Sequence, residues 1–125
     1  MQINIKSYFG KYVVKEINDF NKNHLSQKNN FYLIDKKVYK KFLIGKINGK
    51  ILLIDSNEKN KSYFEIGLLI KKIVQKGIRR NSTIIAVGGG IVQDISGFIA
   101  SILFRGIDWY FYPTTLLSQG DSCIG

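Results

Sequence analysis

The run TIIAVGGGIVQDISGFIASILFRG, residues 83–106, constrains the fold more than any other part of the chain. Residues 83–87 form a short apolar segment of strand type, and three glycines follow at 88–90. Beyond them Ile91, Ile95, Phe98, Ile99 and Ile102 recur at helical spacing, which predicts a helix with these five on one face. Arg105 and Gly106 close that helix, and DWYFYP (108–113) reads as the next strand. A strand, a glycine turn, a helix and a second strand make a βαβ unit, in which the two strands run parallel.

The same alternation appears upstream. FYLID (31–35) and ILLID (51–55) are compact β-prone runs, each ending in an aspartate, as buried parallel strands leading into loops often do. Between them LIGKINGKIL carries Gly45 and the pair Asn48 and Gly49, a turn signal for a hairpin. From residue 63 to 75, Phe64, Ile66, Leu68, Leu69, Ile73 and Val74 recur with approximate helical spacing, and Gly77 follows as a stop. Helices alternating with apolar strands predict an α/β fold, with a Rossmann-like, mostly parallel sheet flanked by helices. At 125 residues and 45% hydrophobic content the chain fills one domain, and no repeat or linker divides it.

Charge and composition exclude several function classes. Nineteen Lys and Arg against nine Asp and Glu leave a formal net charge of +10. The basic residues fall in scattered pairs (Lys36 and Lys37, Lys40 and Lys41, Lys71 and Lys72, Arg79 and Arg80), which favours a solvated lysine-rich surface over a nucleic-acid stripe. Such an excess also suits a phosphorylated or carboxylated small molecule. One cysteine, Cys123, and one histidine, His24, supply neither an internal disulfide nor a nitrogen and sulfur metal set, which fits a reducing, cytoplasmic setting. The start, MQINIKSYFGKYVV, lacks the pattern of a secretory signal. The most apolar stretch, GFIASILF, is far shorter than the roughly 18 residues of a membrane span.

Several residues carry both a chemical reading and an ordinary one. Glycines where a strand meets a helix let a backbone approach a pyrophosphate at the helix N-terminus, but they also make a tight turn needing positive φ. The strict G-x-G-x-x-G spacing is not met, because Gln93 stands at the third position. Asp94, in the first helical turn, is either a partner of the helix dipole or an acceptor for a ribose hydroxyl. Arg105 is a C-terminal helix charge or an anion clamp. Glu58 and Lys61 in NEKNKS are an exposed pair or a ligand contact, and Asp35 is a ribose acceptor or a surface partner of Lys36 and Lys37. Thr114 and Thr115 serve as turn caps in the ordinary reading. Cys123 reads as a small packed residue rather than a nucleophile, since no histidine follows it, and His24 reads as a surface residue.

Together, AVGGGIVQDISGFIASILFRGIDWYFYPTTLLSQGDSCIG (86–125) resembles the nucleotide-binding half of 3-dehydroquinate synthase, a family of sugar phosphate cyclases. The glycine turn, the early aspartate, the RG at the helix end, PTTLL and DS-x-IG all fall in one register. Upstream, FYLIDKKVY and NEKNKSY resemble the family's weaker Asp and Glu-x-x-Lys segments. The departures are Gln93 for a glycine, Lys37 for an asparagine-type residue, and Ser118 and Cys123 for alanine and serine.

The resemblance implies that residues 1–125 form an NAD-binding N-terminal domain. Asp35 would sit on the adenosine side of NAD, Glu58 and Lys61 would be further cofactor contacts, and Gly88, Gly89, Gly90 and Ile91 would line the pyrophosphate. Asp94 would meet a ribose, and Thr114 and Thr115 would lie against the dinucleotide. Asp121 would touch substrate, and Arg105 would bind substrate phosphate in a neighbouring subunit's site, which implies a homodimer. The implied chemistry is NAD-dependent phosphate elimination and cyclisation of a seven-carbon sugar phosphate in the shikimate pathway. The zinc or cobalt ligands and an active-site lysine would lie outside this chain, the ligands in a helical C-terminal domain, so these residues would not catalyse alone. The alternatives are another sugar phosphate cyclase, a metal-dependent polyol dehydrogenase, or a nucleotide-binding module without chemistry.

Overall fold

Strand β3 (Asn30–Asp35) is buried at every one of its six positions, because it has a strand on each edge and covered faces on both sides. It belongs to a computed structural model that describes residues 2–7, 10–15, 29–47 and 49–114. β4 (Lys50–Ile54) lies on one side of β3, and β5 (Thr83–Gly88) on the other, with β6 (Trp109–Pro113) beyond it. All three pairings are parallel. This is the α/β, mostly parallel sheet expected from the strand and helix alternation. The segments β1 (Gln2–Ser7) and β2 (Gly10–Lys15) pair antiparallel as a separate two-stranded sheet, which the apolar pattern did not reveal.

The period of two along the strands divides the core into two clusters. Phe31, Leu33, Ile84 and Ala86 face one way, toward α2 (Tyr63–Gln75) and α3 (Gly90–Ile102), while Tyr32, Ile34, Ile85 and Val87 face the other. On that second face they meet Leu43 and Ile47, from the short segment that follows β3. α2 begins where the sequence places it. The Ser62 hydroxyl accepts from the Glu65 N–H at 3.3 Å, and the helix stops at Gly77, whose φ is +90°.

Two expectations fail. The turn signal in LIGKINGKIL makes no hairpin among its described residues, which leave out Asn48: β3 and β4 are parallel, as their apolar runs implied, and are linked by the three-residue α1 (Lys36–Val38) and a π-helical turn (Tyr39–Leu43). The Asp35 carboxylate decides this by capping α1, accepting from the N–H groups of Lys37 at 2.8 Å and Val38 at 3.1 Å. Gly49 is then a site of close approach, since a Cβ there would lie 2.8 Å from the Tyr32 ring.

The second failure concerns α3. Its buried face is Val92, Gln93, Ile95, Ser96, Ile99 and Ala100, whereas Phe98 and Ile102 are 41% and 46% exposed. Apolar residues occur around most of this helix, so periodicity alone supported two faces. The sheet takes the one carrying small Ser96 and Ala100, which lets the helix axis approach β5 and β6.

Candidate active site

The order β4-β3-β5-β6 means that the chain leaves β3 to one side and later returns to the other. At such a switch point the loops after two adjacent parallel strands diverge, opening a crevice at their C-terminal ends. A cleft of about 510 Å³ lies there. One wall carries Gly89, Gly90, Ile91 and Thr114; the other carries Asp35, Lys37, Val38, Phe42 and Leu43, with Ser56 also lining it. A second hollow of about 570 Å³, beside Arg79, Arg80 and Phe104, sits where the strands begin and α2 and α3 end. Those helix ends present carbonyl groups and the negative end of the dipole, so the first cleft is the better anion site.

The glycine turn is built for close approach rather than for unusual backbone angles. None of Gly88, Gly89 and Gly90 has positive φ, which removes the reading of a tight turn that needs it. A Cβ on Gly88 would lie 2.7 Å from Val92 Cγ2 and 3.2 Å from Asp35 Cβ. A hydrogen at that position is what allows α3 to start directly against the strand. Tight helix–strand packing is therefore secured at Gly88, and Gln93, in place of the third glycine of the fingerprint, is simply buried. A Cβ on Gly90 would meet nothing within 4 Å, so its missing side chain leaves open room at the cleft wall. Gly89 caps α3 without any side-chain bond, so no side chain of this cap covers the first N–H groups of the helix.

Thr114 is held at the same end, its N–H donating to the Gly88 carbonyl at 2.8 Å. Opposite, the Ser56 hydroxyl donates to Asp35 Oδ2, so one carboxylate ties β3, α1 and the segment after β4 together. Sequence reasoning missed Ser56; its only signal was a hydroxyl two residues past the end of a strand. Replacing Asp35 with alanine removes three hydrogen bonds, and about 1–2 kcal/mol of folding stability is expected to be lost in urea denaturation. Asp35→Asn, which keeps an acceptor for both N–H groups, is expected to recover most of that.

Glu58, Lys61 and Asp94 meet although 36 residues separate the first from the last in sequence. Lys61 Nζ lies 2.8 Å from Asp94 Oδ2 and 3.6 Å from Glu58 Oε2, joining the 3-10 turn Glu58–Lys61 to the fifth residue of α3, just past the first turn in which the sequence placed Asp94. The hydrogen bond to Asp94 is the main cause that pushes the Lys61 ammonium above its ordinary pKa. The three adjoin the start of α3 without lining the cleft. Arg105 is not brought to them. It is exposed, with φ +66°, just past the far end of α3. Thr115, Asp121, Cys123 and His24 lie outside the described residues.

Among the described residues no group of three or more His, Cys, Asp or Glu side chains is placed to hold a metal ion. Nor is any described helix long and apolar enough to cross a membrane.

The family model for the 3-dehydroquinate synthase N-terminal region matches residues 51–125. The chain belongs to that family. It is 42% identical over 101 residues to the 3-dehydroquinate synthase of Picrophilus torridus, covering 81% of this chain and 30% of the relative. With the 3-dehydroquinate synthase of Buchnera aphidicola subsp. Cinara cedri the identity is 36% over 126 residues, covering 94% of this chain and 34% of the relative. The chain thus spans about a third of the length of these 3-dehydroquinate synthases. Among solved structures it is similar to 2-deoxy-scyllo-inosose synthase in complex with carbaglucose-6-phosphate, NAD+ and Co2+ (TM-score 0.63, 30% identity, 76% of this chain and 29% of that one). It is also similar to the 2-epi-5-epi-valiolone synthase of Streptomyces hygroscopicus with NAD+ and Zn2+ bound (TM-score 0.62, 25% identity, 72% and 28%). The fold is therefore that of the dehydroquinate synthase-like cyclases.

Proposed function

We propose that this chain is the NAD-binding N-terminal domain of a 3-dehydroquinate synthase. The observation that carries the proposal is the glycine turn at the switch point, where Gly90 leaves room in the cleft and the N-terminus of α3 carries no side-chain cap. That geometry fits a pyrophosphate. Gly89, Gly90 and Ile91 would hold it, Asp35 would take a hydroxyl of the adenosine ribose, and Thr114, with Thr115, would lie along the dinucleotide. Asp94 would meet the other ribose, with Lys61, its ion-pair partner, and Glu58, which also pairs with Lys61, as further cofactor contacts. Bound NAD would supply the redox chemistry that activates a sugar phosphate for phosphate loss and ring closure. The residues of this chain bind it, orient it and line one wall against water.

Asp121 is proposed as a substrate contact. α3 is 13 residues long, so Arg105 stands about 20 Å along the helix axis from the cleft at 1.5 Å per residue. That separation favours Arg105 acting on substrate phosphate in the cleft of a second copy, and hence a homodimer. A helical C-terminal domain carrying the ligands of a zinc or cobalt ion belongs to the same proposal, as does a cytoplasmic location. The likeness to 2-deoxy-scyllo-inosose synthase supports a second reading, a cyclase acting on a different sugar phosphate.

Calorimetric titration of NAD into this chain tests the cofactor assignment. The double variant Gly90→Val, Asp94→Ala is expected to raise Kd at least tenfold, because the valine occupies the cleft wall and a ribose partner is removed. Equal binding to both proteins, or binding to neither, would overturn it. In the complete enzyme, release of inorganic phosphate from a seven-carbon sugar phosphate, against release from a hexose phosphate, separates the two cyclase readings.

A further inference from the structure

The wall of the cleft that follows β3 carries a cation with no assigned work. Lys37 lines the cleft two residues after Asp35, its side chain exposed and its backbone N–H bonded to the Asp35 carboxylate. None of the described carboxylates forms an ion pair with it. Its neighbours are cationic as well: Lys36, Lys40 and Lys41 share α1 and the π-helical turn with no acidic residue among them. Phe42, 56% exposed, adds an aromatic surface to the same wall, of the kind that takes a nucleoside base.

Asp35 is, by contrast, largely engaged. Of the roughly four lone-pair positions of a carboxylate, three accept from Lys37 N, Val38 N and Ser56 Oγ. One position remains for a single ribose hydroxyl. In dinucleotide-binding folds a free carboxylate after the strand selects an unmodified ribose, and a cation there accommodates a 2′-phosphate. Here both stand at one strand end, with the carboxylate held back by its own structural bonds.

We infer that Lys37 is a specificity-determining residue that lets this cleft accept a 2′-phosphorylated dinucleotide, NADP, alongside NAD. The inference rests on the dinucleotide reading of the cleft. The cationic wall sets a local attraction for the extra phosphate, and of its four lysines Lys37 is the one that lines the cleft beside Asp35. Because the contact is solvent-exposed, it weakens as salt rises.

The test is titration of NAD and of NADP into this chain and into three variants: Lys37→Glu, Lys37→Asn, and Lys76→Glu as a charge control at the far end of α2. The original chain is expected to bind NADP with a Kd within tenfold of that for NAD. Lys37→Glu is expected to raise the NADP to NAD ratio of Kd at least tenfold, Lys37→Asn at least threefold, and Lys76→Glu less than twofold. NADP binding more than tenfold weaker than NAD in the original chain overturns the inference and leaves the NAD cleft standing. So does a ratio that moves equally in Lys37→Glu and Lys76→Glu, or does not move in either Lys37 variant. Binding of neither dinucleotide to the original chain instead defeats the dinucleotide reading itself, and the inference with it.

Discussion

Truncating Ile99 to alanine is expected to lower folding stability by about 2–5 kcal/mol, the range for emptying a fully buried isoleucine site. Ile99 is 0% exposed and sits among Val92, Ile95, Ala100 and the sheet residues Ile84 and Ala86. The matched substitution Phe98→Ala, one position earlier and 41% exposed, is expected to cost no more than about 1 kcal/mol despite removing a larger side chain. Urea denaturation of both variants decides which face of α3 is buried. A larger loss at Phe98 than at Ile99 would contradict the packing described above and restore the face expected from sequence.

Gly88→Ala is the second large effect, and it should be felt in both stability and binding. The new methyl carbon would stand 2.7 Å and 2.9 Å from two carbons of Val92, a residue with no exposure of its own. Since Val92 cannot swing into solvent, relief requires α3 to move off β5, an overpacking cost of about 1–3 kcal/mol. The same displacement carries the N–H groups after Gly89 away from the cleft, so NAD affinity is expected to fall at least tenfold. Val92→Ala in the same chain removes the Cγ2 clash and is expected to recover part of the stability, which a double-mutant cycle reads as a coupling between the two positions. Independent, additive losses would mean that the strand and helix are not in contact there. Gly90→Ala is the contrasting case: with nothing within 4 Å of its Cβ, it should leave folding close to the original.

Much of the candidate site was legible in the sequence because it is local. A strand running into Gly88, Gly89 and Gly90 and then into a helix states its own geometry within ten residues, although Asp94 falls one residue past the first turn where the sequence put it. The apolar spacing from 63 to 75 and the Gly77 stop bounded α2 for the same reason. The meeting of Lys61 with Asp94 is different. Nothing in NEKNKS says which helix end it will face, and the resemblance to a family grouped the two as cofactor contacts without giving the 2.8 Å ion pair. Ser56 was missed because a hydroxyl after a strand carries no pattern until its partner, Asp35, is known to lie on the adjacent strand.

Local chemistry and periodicity along the chain therefore determined the strand and helix alternation, the glycine turn and an α/β fold with a mostly parallel sheet. Tertiary structure alone decided that the turn signal in LIGKINGKIL makes no hairpin among its described residues, the Asp35 cap leading the chain from β3 into α1 and the π-helical turn instead. It alone chose the buried face of α3, because small Ser96 and Ala100 allow a closer approach to the sheet than Phe98 and Ile102 would. It also brought Lys61 to within 2.8 Å of Asp94. The physical reason is common to all three: each depends on what lies across the sheet or along a helix axis, and such neighbours are set by packing between segments distant in sequence.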